Sequence, residues 1–317
     1  MTKQKILIDC DPGHDDAVAI LFAAQHMNLV GVTTVHGNNT LENTTRNGLA
    51  VLELGGIDVP LAAGCTGPLA QVQLGIAQGH GKSGLDGAQI PAPSRRPIST
   101  HAVDFIIAMA EKHKGELILA TIGPETNIAM ALAREPRIKQ WIKEITVMGG
   151  STTKGNYSPA AEFNIACDVE AAWAVFESYI PLRMVGLNVT QRTGFDATDI
   201  ARMRATGRQV ASTIADLMEF YLGRQQEAYG LNVAPMHDVC SVVPYVFPDV
   251  MTYLHTSVRI ELSGTYTRGM TVCDLRHPKG SASPSLRNRT APNALVAVDV
   301  RSRELIDKVI DTILLYP

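Results

Sequence analysis

At 317 residues, with 45% apolar and 19% charged side chains and a formal net charge of −3, the chain can bury a sizeable core in one large domain or two. The near-neutral balance and the lack of any Lys/Arg-rich tract exclude a nucleic-acid footprint and give no reason for a membrane surface. No charge-free apolar stretch approaches the roughly 20 residues of a membrane span.

Taken in chain order, Met1-Thr2-Lys3-Gln4-Lys5 runs straight into the first apolar run, without room for a signal peptide, so a cytoplasmic protein is expected. Apolar runs then alternate with helical patterns over the first 190 residues, the pattern of βα units around a largely parallel sheet covered on both faces. Strands are predicted at 5–8, 29–35, 59–62, 117–121, 145–148 and 182–187, and helices at 16–25, 42–54, 100–112, 126–134 and 169–177. The stretch 71–97, with His80-Gly81-Lys82-Ser83-Gly84, breaks this rhythm and reads as a long loop over the rim. A long helical pattern follows at 197–229 and an apolar helix at 239–246. The segments 258–262 and 270–275 form an expected antiparallel pair, before a strand at 294–300 and a closing helix at 303–315. The segment 279–292 is the expected mobile loop. The fold class is therefore α/β, an open, mainly parallel, Rossmann-like sheet flanked by helices, with a small C-terminal antiparallel elaboration. No internal repeat divides the chain, and residues 1–317 are read as one domain. Its five cysteines are odd in number and widely spaced, as reduced thiols would be, without the spacing of a zinc site or a disulfide framework.

Most of the chemistry is concentrated in Asp9-Cys10-Asp11-Pro12-Gly13-His14-Asp15-Asp16, a strand end, a turn and a helix start carrying four carboxylates within eight positions. Acids so close repel one another, so either several are protonated at neutral pH or a cation holds them. An all-oxygen donor set suits Ca2+ or Mg2+ better than zinc. A simple helix cap would account for Asp15 and Asp16 as well, though it leaves Asp9 and Asp11 unexplained. Strand-end polar loops, at Asn38, at Ile122 and at Gly149-Gly150, should share one rim, since ligands of open α/β sheets bind at the carboxyl ends of the strands. Asn156, Glu162 and Asn164 supply neutral donors and charged acceptors suited to sugar hydroxyls. Asp238 could complete a metal shell with His237 as a proton donor beside it, or it could simply cap the helix that follows.

These residues resemble the nucleoside hydrolases, the calcium-dependent inosine-uridine type N-ribohydrolases. The likeness rests on the acidic turn, on Thr33-Thr34-Val35 with Gly37-Asn38, His80-Gly81 with Ser83-Gly84, Thr126-Asn127-Ile128-Ala129, Val147-Met148-Gly149-Gly150, Ala161-Glu162-Phe163-Asn164 and His237-Asp238. It spans essentially the whole chain. What it implies is a Ca2+ ion held by the carboxylates of Asp11, Asp16 and Asp238 and the backbone carbonyl of Ile122, with Asp11 also the general base for the attacking water. Asp15, Asn38, Asn156, Glu162 and Asn164 would hold the ribose hydroxyls, with Met148 under the sugar and Phe163 among the substrate contacts. His80 and His237 would lie on the base side, with His237 serving the leaving base. On the helix before His237, Tyr221, Gln225 and Tyr229 recur every four residues and share a face that would meet the base. A Gln followed one turn later by a Tyr resembles the bacterial pyrimidine-preferring branch, and implies uridine and cytidine before inosine. The family also implies a homotetramer, which nothing in the patterning indicates.

Three departures stand out: Ile122 where relatives often have Thr, Lys82 where Glu is common, and His36 where a small or apolar residue is usual. The last two bear on rim electrostatics and substrate preference rather than on the metal motif. Rival readings are weaker. Asp9-x-Asp11 also suggests a haloacid-dehalogenase-type phosphatase, but Gly13 stands where that family has Thr or Val. An EF-hand is broken by Pro12-Gly13. A ribose-binding module without catalysis would need to have lost a base or ligand, and Asp11, Asp16 and Asp238 are all present.

Overall fold

The computed structural model describes residues 3–75, 78–276 and 290–317. Six strands, β1 (Lys5–Cys10), β2 (Asn28–Thr34), β3 (Leu61–Ala63), β4 (Leu117–Thr121), β5 (Ile142–Met148) and β6 (Leu182–Val185), pair in parallel. Beyond them, β7 (Gly194–Phe195) and β8 (Ala234–Pro235) make a short antiparallel ribbon, followed by β9 (Met251–Thr256). The pair β10 (Val258–Ile260) and β11 (Thr271–Cys273) is antiparallel, as the sequence predicts, and β12 (Ala294–Val300) is the last strand. The main sheet has the order β3-β2-β1-β4-β5-β6-β12-β9, with β12 parallel to β6 and β9 antiparallel to β12 at the edge.

Both faces of the sheet are buried, which is why its strands read as unbroken apolar runs. Successive side chains of β1 alternate between two cores. Ile6, Ile8 and Cys10 pack with Val18, Leu21 and Phe22 of the helix His14–His26, whereas Leu7 packs with Phe105 and Ile106 of the helix Ala102–Lys112. After β1 the chain winds outward through β2 and β3, then returns to the opposite side of β1 as β4. The crevice at the carboxyl ends of β1 and β4 is thus a topological switch point, where a ligand is expected.

Several boundaries differ from the sequence reading. β1 runs on to Cys10 and the first helix starts at His14, so Asp9 lies within the strand and Asp11 just beyond it. The predicted helix 197–229 is two helices, Ala197–Arg204 and Gln209–Tyr229, because Gly207 between them takes a left-handed φ of +66°. The helix expected at 239–246 tightens into a 3-10 turn at Val243–Tyr245, where Pro244 lacks the N–H an α-helix would use. Strand β9 escaped prediction: its alternation is irregular, and its partner β12 lies about forty residues on. Most of the mobile loop expected at 279–292 lies outside the described residues. No helix among the described residues is long and apolar enough to cross a membrane.

Candidate active site

A cavity of about 550 Å³ opens at the switch point. Its floor carries Asp15, Asn38, Ile122, Met148 and Asp238. One side carries Asn156, Glu162, Phe163 and Asn164, and the facing wall His80, Tyr221, Gln225, Tyr229 and His237. The residues singled out in sequence thus meet around one space, except Asp11 and Asp16, which lie just behind the floor.

Asp11 is held by the local backbone. The N–H of Asn38 donates to Asp11 Oδ2 at 2.6 Å, and Asn38 Nδ2 donates to the Asp11 carbonyl at 3.1 Å. Glycines make room for it: a Cβ at Gly37 would lie 2.1 Å from Asp11 Oδ2, and one at Gly123 would lie 2.6 Å from Oδ1. Asp16 faces the start of its own helix, where Oδ2 accepts the Gly13 N–H at 2.8 Å. The cap reading therefore holds for that oxygen. It fails for Asp238, whose side chain makes no cap bond to the Val239–Val242 helix and turns to the acidic cluster instead. Asp15, Asp16 and Asp238 each offer an oxygen within 4.8 Å of the other two.

This arrangement is electrostatically incomplete. Asp11 Oδ1 and Asp16 Oδ1 are buried without a hydrogen-bond partner. Burial above all, then the neighbouring carboxylates, pushes Asp11, Asp15 and Asp238 upward, and burial does the same to Asp16. Orphaned carboxylate oxygens in a buried cluster are the donor set a hard divalent cation satisfies, so these residues fit such an ion. The trio that converges includes Asp15, which the resemblance gives to the sugar, and omits Asp11, which contributes its orphaned oxygen from behind.

Asp9 plays no part in this cluster. It is fully buried, its Oδ1 accepting from Thr33 Oγ1 and, at 2.8 Å, from Asn127 Nδ2. An aspartate so enclosed cannot serve as a phosphoryl acceptor, which removes the phosphatase reading.

Glu162 starts the short helix Phe163–Cys167, and its carboxylate takes the N–H groups of Asn164, Ile165 and Gly150 at 3.0, 3.1 and 3.0 Å. Burial nonetheless raises its pKa to about 7. Asn164 Nδ2 donates to the carbonyls of Ile122 and Met148, both at 3.0 Å. The Ile122 carbonyl keeps a second lone pair, so isoleucine in place of threonine costs the site nothing there. Asn156 Oδ1 accepts the Phe163 N–H at 2.9 Å, which orients this exposed residue.

On the facing wall, His237 Nδ1 lies 2.7 Å from Thr190 Oγ1. Burial lowers its pKa to about 4, which favours the neutral ring. Tyr221 is 2% exposed and Tyr229 63%, so the shared face runs from the core to the cavity mouth. Neither His36, buried against Thr126 at 3.1 Å, nor the exposed Lys82 borders the cavity. Sequence reasoning missed Lys154, Gln191 and Arg224, which also line the cavity and belong to no motif.

The chain is similar to known proteins over nearly its whole length. Residues 6–307 match the model of the family described as inosine-uridine preferring nucleoside hydrolase. The pyrimidine-specific ribonucleoside hydrolase RihA of Salmonella typhimurium is 38% identical over 98% of each chain. Among solved structures, a purine-preferring ribonucleoside hydrolase from Gardnerella vaginalis superposes with a TM-score of 0.89 at 31% identity, over 98% of both chains. A plant nucleoside hydrolase gives 0.88 at 29%, over 98% of this chain and 99% of the other.

Proposed function

The chain belongs to the inosine-uridine preferring nucleoside hydrolase family, and from that premise we propose how its residues cleave the bond between a nucleobase and C1' of ribose. The observation that carries the proposal is the pair of orphaned buried oxygens, Asp11 Oδ1 and Asp16 Oδ1, behind the floor of a cavity with amide and carboxylate groups on one side and imidazoles and aromatics on the other.

Asp11, Asp16 and Asp238, with the Ile122 carbonyl, would hold a hard divalent cation, which the family resemblance makes Ca2+. When bound, such an ion acts as a Lewis acid that fixes a water and makes it more acidic. Asp11 accepts the proton from the water that attacks C1'. Asp15, Asn38, Asn156, Glu162 and Asn164 bind the ribose hydroxyls, with Met148 and Phe163 against the sugar. The charge of Glu162 and the floor carboxylates favours the oxocarbenium-like character of the ring in the transition state. His237 hydrogen-bonds the departing base, and His80 lies on the same wall.

Base preference follows from that wall. Gln225 offers both a donor and an acceptor, matching the carbonyl and N–H edge of uracil or the corresponding edge of cytosine. Uridine and cytidine are the preferred substrates in this reading, which the name of the Salmonella relative supports. The name of the Gardnerella relative points to purines, and Tyr221 would stack on one, so residual inosine cleavage is expected. A homotetramer and a single domain over residues 1–317 complete the proposal. The deciding experiment is ribose release from uridine, cytidine, inosine and adenosine, with and without chelator. A protein that binds ribosides without releasing ribose would instead be the non-catalytic module.

A further inference from the structure

Strands β2 and β4 flank β1 on either side, and the carboxylate of Asp11, just past the end of β1, lies in a slot between the loops that follow them. One loop is 35–40 and the other 122–126. They meet at Gly37, where an added Cβ would lie 2.1 Å from Asp11 Oδ2 and 2.9 Å from Pro124 Cδ. The bond from the Asn38 N–H to Asp11 Oδ2 therefore lasts only while the first loop keeps its place against the second.

His36 joins the two loops. Its ring is buried, and Nε2 lies 3.1 Å from the Oγ1 of Thr126, the first residue of the helix Thr126–Arg134. Among the described residues this is the one hydrogen bond between segments 35–40 and 122–126. The hydroxyl's own hydrogen is committed elsewhere, since Thr126 Oγ1 donates to Asp168 Oδ2 at 2.7 Å. Asp168 is fixed in turn. Its Oδ2 also accepts the N–H of Leu69 at 2.9 Å, and its Oδ1 that of Ala171 at 3.0 Å, at the start of the helix Val169–Phe176. A hydroxyl that has given its one hydrogen to a carboxylate meets His36 with a lone pair, so His36 Nε2 is the donor whatever the charge of the ring. The chain His36-Thr126-Asp168 thus ties the loop after β2 to the starts of two helices, and none of the three borders the cavity.

We propose that His36 is a positioning residue: its bond to Thr126 clamps the two loops on Asp11, so that the Asn38 N–H holds Oδ2 and Oδ1 stays free for the proton of the attacking water. His36 is 1% exposed and stands two residues before Asn38, so its effect on the reaction passes through the backbone that holds Asp11. Small displacements matter there, because a reacting group misplaced by about 1 Å can cost about a hundredfold in rate. The inference rests on the reading of Asp11 as the general base. Its test separates the two.

His36→Gln can set its amide N–H near the place of Nε2 and still donate to Thr126, whereas His36→Leu fills similar space without a donor. Thr126→Ser keeps the hydroxyl and Thr126→Val removes it, which breaks the same bond from the other side if His36→Leu does not fold. With uridine, kcat should fall about tenfold in His36→Leu and in Thr126→Val, the worth of one buried hydrogen bond. It should return to within about threefold of wild type in His36→Gln and Thr126→Ser. KM should move less than about threefold, because several side chains share the ribose while Asp11 alone takes the proton. The double variant His36→Leu/Thr126→Val should be no slower than the slower single variant, since both remove one bond. Deuterium exchange of the chelator-treated proteins, read by mass spectrometry, gives a measure independent of catalysis. Peptides covering 36–40 should exchange about tenfold faster in His36→Leu than in wild type or His36→Gln, with those covering β1 unchanged. Full kcat in His36→Leu, no recovery in His36→Gln, or equally faster exchange throughout β1 would overturn the proposal. A wild-type protein that releases no ribose from uridine would refute the nucleoside reading, while the exchange pattern would still decide the clamp.

Discussion

Asp11 Oδ2 receives the backbone N–H of Asn38 at 2.6 Å, while Asp11 Oδ1 meets no donor at all. The end of β1 and the loop after β2 thereby hold one oxygen of the carboxylate and leave the other free to act. Asp11→Asn should keep the position, since its amide oxygen can still accept from Asn38. It should lower kcat about a hundredfold to ten-thousandfold, the usual contribution of a general base. Tm measured in chelator should not fall, because the change removes a charge from a crowded cluster. Near-normal turnover by the folded variant would take Asp11 out of the reaction.

Elemental analysis of the purified protein should find about one calcium per chain, in line with a single set of oxygen donors. Chelation should abolish ribose release, and added Ca2+ should restore it. Zinc in its place, or full activity in chelator, would contradict the assignment.

Stability in chelator should fall as pH rises. Burial raises the folded-state pKa of Asp11, Asp15, Asp16 and Asp238 above the ordinary carboxylate value of 3.8, to about 8 for Asp15. Between those values the folded chain binds more protons than the unfolded one, so folding is favoured at low pH and that advantage is lost on the way up. Thermal melts from pH 4 to 8 should show the decline in chelator and a much flatter profile with excess Ca2+. Parallel profiles would mean that the ion does not sit among these carboxylates.

Asp9→Asn separates the buried strand aspartate from the acidic cluster. Its Oδ1 keeps the Thr33 and Asn127 bonds, while the unpartnered, charged Oδ2 gives way to a neutral amide nitrogen. Burial raises Asp9 to about 7, so the native charge costs stability above that pH. The variant should be more stable at pH 8 by about 1–3 kcal/mol, with kcat within about threefold of wild type. A large loss of kcat with an unchanged melt would give Asp9 a direct role.

Gln225→Ala should reduce kcat/KM for uridine about tenfold and leave inosine nearly unchanged, as one polar contact to a pyrimidine edge is lost. Inosine cleaved as well as uridine by the wild type would show that the wall serves purines equally. Light scattering at micromolar concentration should give the mass of a tetramer, and a monomer would end that expectation.

The parallel sheet was legible in the chain because burial on both faces writes each strand as an apolar run, as in Ile6-Leu7-Ile8. The acidic turn was legible because four aspartates in eight positions have few physical explanations. Short-range chemistry of that kind survives in one dimension. The division of labour among the aspartates does not: Asp9 and Asp11 are two residues apart, and only the pairing of β1 with β2 and β4 puts the first against Thr33 and the second beside a cavity. Asp238, equally plausible as a cap, turns its carboxylate to Asp15 and Asp16 across more than two hundred residues of chain. His14 has no partner in its own stretch of sequence, and folding brings His80 to its Nδ1 and the Asp86 carbonyl to its Nε2. Hydrogen-bond partners distant in sequence are set by how the strands order and the loops return, and no local propensity encodes that.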